Sequence, residues 1–173
     1  MIPPIARRFV AGESVPAVVD HVRTLSEDGI GAICNLLGEH HTDPAVVDAD
    51  IATYRELAAA LAEAGLDAGL SVKPSQVGLE LGRDHLSAAV ETLVTTTETT
   101  IWVDMEDHTT TDDTLDVVTA AMRAYPGRLG VCIQANLQRS EADIHRLAPL
   151  PGKVRLVKGA YDEPHTVAIR SKA

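Results

Sequence analysis

The sequence predicts an α/β fold in which about five parallel strands are wrapped by helices. Three observations predict it. Five short, near-continuous apolar runs, at residues 32–37, 69–72, 100–103, 129–134 and 154–157, are each bounded by Gly, Pro or acidic residues, the pattern of strands buried on both faces. Between the runs lie segments with helical periodicity. Aromatic residues are 3% of the chain against 45% hydrophobic residues, so the core is built from Ala, Val, Leu and Ile, which suits strands covered by helices better than an aromatic-rich sandwich.

In chain order, a first helix precedes the first run. Residues 44–64 are rich in Ala, Leu and Glu, and Gly65 supplies the stop. Residues 82–93, 114–125 and 141–147 continue the alternation, with Pro126-Gly127 and Pro151-Gly152 closing the last two. Right-handed crossovers turn such an order into a parallel sheet with helices outside, either open and doubly wound or closed as a (β/α)8 barrel. No Gly-x-Gly-x-x-Gly or Walker sequence follows any strand, which favours the barrel. A complete barrel needs ~250 residues, so the expectation for residues 1–173 is one domain holding part of a TIM-type barrel.

The net charge of -10 disfavours nonspecific binding to nucleic acid or to anionic lipid. Cys34 and Cys132 each lie in an apolar run and read as small buried hydrophobes in a reducing compartment. The start MIPPIARRFV has no long apolar stretch, and no run reaches the ~18 residues of a membrane span, so the expected location is the cytoplasm.

Every predicted strand hands over to polar residues at its C-terminal end, where barrel enzymes keep their catalytic groups. These are Gly38-Glu39, Lys73-Pro74-Ser75-Gln76, Asp104-Met105-Glu106-Asp107, Gln134-Ala135-Asn136 and Lys158-Gly159-Ala160-Tyr161. Lys73 and Lys158 could each form a Schiff base, neutralise a carboxylate or face an anionic flavin. Asp104, Glu106, Asp107 and His108 suggest a metal site, but their spacing on a strand end sends neighbours to opposite faces, and they read as solvated loop acids. His40 and His41 fail as ligands for the same reason. Asp112 and Asp113 are expected to cap the helix at 114–125. Arg155 stands inside an apolar strand, Val154-Arg155-Leu156-Val157, and must meet an anionic or electron-rich partner.

Six segments then coincide, in order, with the motifs of a known family. Arg8-Phe9-Val10-Ala11-Gly12-Glu13, Leu37-Gly38-Glu39, Ser71-Val72-Lys73-Pro74-Ser75, Trp102-Val103-Asp104-Met105-Glu106, Val131-Cys132-Ile133-Gln134-Ala135 and Val154-Arg155-Leu156-Val157-Lys158-Gly159-Ala160-Tyr161 resemble proline dehydrogenases, the last most specifically. That resemblance implies a barrel enzyme that oxidises L-proline to 1-pyrroline-5-carboxylate by hydride transfer to N5 of FAD and then reduces a quinone. It implies that Lys73 lies beside the proline carboxylate, with Glu39 and Asp104 in the surrounding ion pairs. It implies further that Gln134 and Arg155 contact the isoalloxazine, Arg155 near N5, that Lys158 contacts the flavin with Gly159 and Ala160 beside it, and that Tyr161 lines the substrate pocket.

The sequence departs from the family at Asn35, where Asp is usual. The family's later Thr-His and Tyr-Leu-Arg-Arg motifs have no counterpart, so the expectation is that this chain alone binds FAD weakly or not at all and is inactive. Without those arginines, Glu39 and Asp104 are expected to share one lysine and to stay under-neutralised. Two other readings stand beside this one: a Schiff-base lyase or aldolase barrel using Lys158 or Lys73, and a non-enzymatic half-barrel that forms a homo-oligomer through its open edge.

Overall fold

The computed structural model describes residues 10–169, so Arg8 and Phe9 of the first motif lie outside the described residues. Strands β1 (Ala32–Asn35), β2 (Ala68–Val72), β3 (Ile101–Val103), β4 (Leu129–Gln134) and β5 (Lys153–Val157) alternate with helices α1 (Val15–Glu27), α2 (Pro44–Glu63), α3 (Arg83–Thr96), α4 (Thr111–Ala124) and α5 (Ser140–Leu147). All neighbouring strands are parallel, in the spatial order β1-β2-β3-β4-β5. A doubly wound sheet reverses its strand order at a switch point. No reversal occurs here, so the sheet is an arc of a barrel and the open alternative falls away.

The register sorts the side chains. Leu70, Ile101 and Leu129 stand in one row and Val72, Val103 and Val131 in the next, all fully buried in one cluster with Leu86 and Leu93 of α3 and Leu115 of α4. This is the helix-covered face. The alternate positions carry Asn35, Ser71, Trp102, Gly130, Cys132 and Arg155, and parallel pairing aligns them across the sheet on the opposite face. That inner face brings Asn35, Ser71 and Arg155 beside Trp102, and the chain keeps the same alternation two residues on, at Lys73 and Asp104.

Local chemistry fixes the helices against this sheet. Asp43 caps α2 by accepting from the Ala45 N–H at 2.9 Å, with Pro44 pre-set for the first turn. One α2 side chain, Tyr54, is fully buried; its hydroxyl lies 2.9 Å from the Ser71 carbonyl and 3.0 Å from Gln76 Oε1 and accepts from the Leu36 N–H. Burial pushes the Tyr54 phenol far above its ordinary pKa, so it serves as a permanent donor. No helix among the described residues is long and apolar enough to cross a membrane.

Several sequence expectations shift. β1 ends at Asn35 because Asn35 pairs with Ser71 and the ladder stops there; Leu37, expected inside the strand, is 73% exposed. Helix α4 begins at Thr111, so Asp112 and Asp113 are not caps. They occupy its first turn, where negative charge favours the helix dipole, and they pair with Arg139 (2.6 Å) and Arg83 (3.5 Å). Cys132 is buried but Cys34, on the edge strand, is only half-buried.

Candidate active site

At the C-terminal ends of the strands, the polar residues singled out in the sequence converge. Arg155 projects from the inner face of β5 and donates from Nη2 to Asp104 Oδ1 at 2.6 Å and to Ser71 Oγ at 3.2 Å; Ser71 Oγ in turn donates to Asp104 at 2.7 Å. Its guanidinium stands 5.4 Å from the centre of the Trp102 ring. The strand arginine therefore has both an anionic and an electron-rich partner. Asp104 is hydrogen-bonded to Arg155, which corrects the expectation that it competes with Glu39 for one lysine.

Trp102 has a seat prepared by two glycines. Gly130 is aligned with Trp102 on β4, where a Cβ would run into the six-membered ring of the indole, and Gly69, two residues before the aligned Ser71 on β2, leaves room for the edge of the five-membered ring. Sequence reasoning placed Trp102 within a motif but gave it no role. Its signal lies in the pairing of a large residue with a glycine on β4, visible only once the register is known.

Lys73 follows β2 and pairs with Glu39 at 3.6 Å. Burial acts to lower the pKa of its ammonium, but Tyr161, Glu106, Asp104 and Glu39 outweigh it and hold that pKa above the ordinary lysine value. A Schiff-base lysine needs the opposite shift, so the lyase reading gains nothing from Lys73. Burial likewise pushes the Tyr161 phenol up, against the pull of Lys73, and keeps it protonated at neutral pH.

Glu106 is not a solvated loop acid. It is 2% exposed, and its carboxylate accepts from the Ser75 N–H and the Ser75 hydroxyl, each at 2.7 Å. Gln134, 1% exposed, donates to the Glu106 carbonyl at 2.7 Å and accepts from the Ala160 N–H at 3.1 Å. Lys158 is exposed. Gly159 has φ 111°, and a Cβ there would overlap the Asn136 side chain, so the turn after β5 requires glycine.

The three histidines singled out in the sequence, His40, His41 and His108, have carboxylate partners. His40, the one non-glycine with positive φ among the described residues, bonds Glu80 through Nδ1 at 2.9 Å; His41 bonds Asp50 at 3.1 Å and His108 bonds the buried Glu163 at 2.6 Å. Among the described residues no group of three or more His, Cys, Asp or Glu is placed to hold a metal ion.

A family model described as proline dehydrogenase matches residues 18–171. Proline dehydrogenase 1 of Bacillus subtilis (strain 168) is 32% identical over 171 residues, covering 96% of this chain and 56% of that protein. The proline dehydrogenase of Deinococcus radiodurans is 37% identical over 176 residues, covering 98% and 57%. The chain thus spans about half the length of the curated relatives it matches. Among solved structures, proline utilization A of Bdellovibrio bacteriovorus, inactivated by N-propargylglycine, superposes with a TM-score of 0.79 over 91% of this chain and 20% of that one; at 22% identity this speaks for the fold. Matched from residue 18 to residue 171, and 32% and 37% identical to two named members along almost its whole length, the chain belongs to the proline dehydrogenase family.

Proposed function

We propose that this site oxidises L-proline to 1-pyrroline-5-carboxylate, with FAD receiving the hydride and a quinone receiving the electrons in turn. The observation that carries the reading is the convergence of Glu39, Lys73, Asp104, Gln134, Arg155 and Tyr161 at the exits of five adjacent parallel strands. Residues 1–173 act in this reading as one partial barrel domain.

The residues present fit a flavin. Arg155 Nε is buried with no hydrogen-bond partner, an orphan donor on an inner-face side chain. Arg155, Gln134, exposed Lys158 and the backbone at Gly159 and Ala160 would hold the cofactor. Bound there, FAD supplies a two-electron acceptor. This chain's own groups do the rest. Lys73, held cationic, pairs with the substrate carboxylate, and Glu39 keeps it at the mouth. Asp104 and Ser71 fix the Arg155 guanidinium. Neutral Tyr161 walls the pocket and can donate a hydrogen bond. In the balanced reaction zwitterionic L-proline gives up one hydride from C5 and one proton from nitrogen.

The reading places the protein in the cytoplasm, supported by two free cysteines and the net charge of -10. Self-association through the sheet edges belongs to it as well, supported by exposed Val154 and Leu156 on β5.

The test uses the chain's single tryptophan. In a fusion of this chain to the segment of the Bacillus subtilis relative that it does not span, FAD should quench Trp102 fluorescence, and Arg155→Leu should weaken FAD binding about tenfold, the loss of one charge-assisted hydrogen bond. Quenching absent from the parent fusion, or untouched by Arg155→Leu, would remove flavin from the inner face.

A further inference from the structure

One chain of hydrogen bonds runs across all five strand exits, and its centre is a residue to which neither the motifs nor the proposed chemistry gives a task. After β1, the His40 N–H donates to Ser75 Oγ at 3.1 Å and the His41 N–H to the Ser75 carbonyl at 3.0 Å. After β2, Ser75 gives both its N–H and its hydroxyl to the Glu106 carboxylate. Glu106, after β3, offers its carbonyl to Gln134 at the end of β4, and Gln134 receives the Ala160 N–H after β5.

Glu106 is a buried carboxylate with no ion-pair partner among the described residues. Desolvating such a charge is costly, and the cost is offset here by two short donors on one serine. A residue whose only task was to fill the core would be apolar at this position, because an apolar side chain would fill the space without that cost. Ser75 stands two residues after Lys73, and His40 follows Glu39, so whatever fixes Ser75 fixes both members of the Lys73–Glu39 pair.

We infer that Glu106 is a positioning residue: through Ser75 it sets the two loops that carry Lys73 and Glu39, and through Gln134 it ties them to the β5 exit. The inference rests on the reading of Lys73 as the group that receives a substrate carboxylate. It also gives Glu106 an electrostatic share, since its charge acts with Tyr161, Asp104 and Glu39 to raise the Lys73 pKa.

Two variants of the 173-residue chain separate reach from charge. Glu106→Gln keeps the length and removes the charge; Glu106→Asp keeps the charge and shortens the arm by one methylene. With Lys73 followed by NMR of isotopically methylated lysines, Glu106→Gln should lower the Lys73 titration midpoint and Glu106→Asp should leave it in place. With amide hydrogen exchange, Glu106→Asp should speed exchange at Ser75 and His40 by about tenfold while the amides of β2, β3 and β4 keep their protection. An unmoved Lys73 midpoint in Glu106→Gln overturns the electrostatic share, and unchanged exchange at Ser75 and His40 in Glu106→Asp overturns the positioning. Exchange that rises evenly through the strands also overturns it, because Glu106 would then merely stabilise the fold. In the fusion with the Bacillus subtilis segment, both variants should raise KM for L-proline about tenfold with kcat changed far less; kcat falling with KM unchanged counts against the inference. A parent fusion that does not oxidise L-proline sinks the proposed function, while the two NMR readouts still decide the role of Glu106.

Discussion

Arg155 Nη2 lies 2.6 Å from Asp104 Oδ1, joining the ends of two strands that are not adjacent in the sheet. Ser71 on β2 completes the triangle by bonding both. Across the inner face, then, β2, β3 and β5 are held by one arginine.

That contact fixes the sign of a mutation. With Arg155 as its partner, Asp104 is compensated, and Asp104→Asn should destabilise the chain by about 1–2 kcal/mol at neutral pH, between the values for exposed and fully buried pairs. Urea unfolding measures it. A variant more stable than wild type would restore the view of an under-neutralised rim.

The mouth carries a pH-dependent pair. The hydrogen bond that His40 donates to the Glu80 carboxylate raises the His40 pKa above 6.5, so the pair's stabilisation is fully present below the unfolded value and is lost as pH rises through the folded one. The stability difference between wild type and His40→Gln should therefore be larger at about pH 5 than at about pH 9. Glu80→Gln should flatten it. A difference that grows toward alkaline pH contradicts the pairing.

The glycine seat of Trp102 can be tested directly. Gly130→Ala puts a methyl group against the indole and should shift the emission maximum of the only tryptophan, with a stability loss of about 1–3 kcal/mol from overpacking. Unchanged emission would mean that the indole does not lie across β4.

Much of this was legible in the sequence, for a physical reason. Strands buried in a parallel sheet leave apolar runs, and a barrel gathers the residues just past each run at one rim, so Lys73, Asp104, Gln134 and Lys158 could be read off in order. Arg155 announced itself because a charge inside Val-Arg-Leu-Val needs a partner. The misreadings depend on contacts distant in sequence. Glu106 reads as a surface acid until Ser75, 31 positions earlier, is seen to supply both its donors. Leu36 and Leu37 extend the apolar run of β1, but the ladder ends at the Asn35–Ser71 pair, which hydropathy cannot reveal. Asp112 and Asp113 resemble caps because caps and first-turn acids have the same composition.

The proposed oxidation of L-proline at this rim has a direct readout. Its most direct measurement is the visible flavin absorbance of the fusion with FAD, mixed with L-proline without oxygen. The account predicts that L-proline bleaches the flavin, and that Lys73→Ala raises the L-proline concentration needed for half-bleaching by at least about tenfold. Flavin that stays oxidised in L-proline, or bleaching with the same concentration dependence in Lys73→Ala, would contradict it.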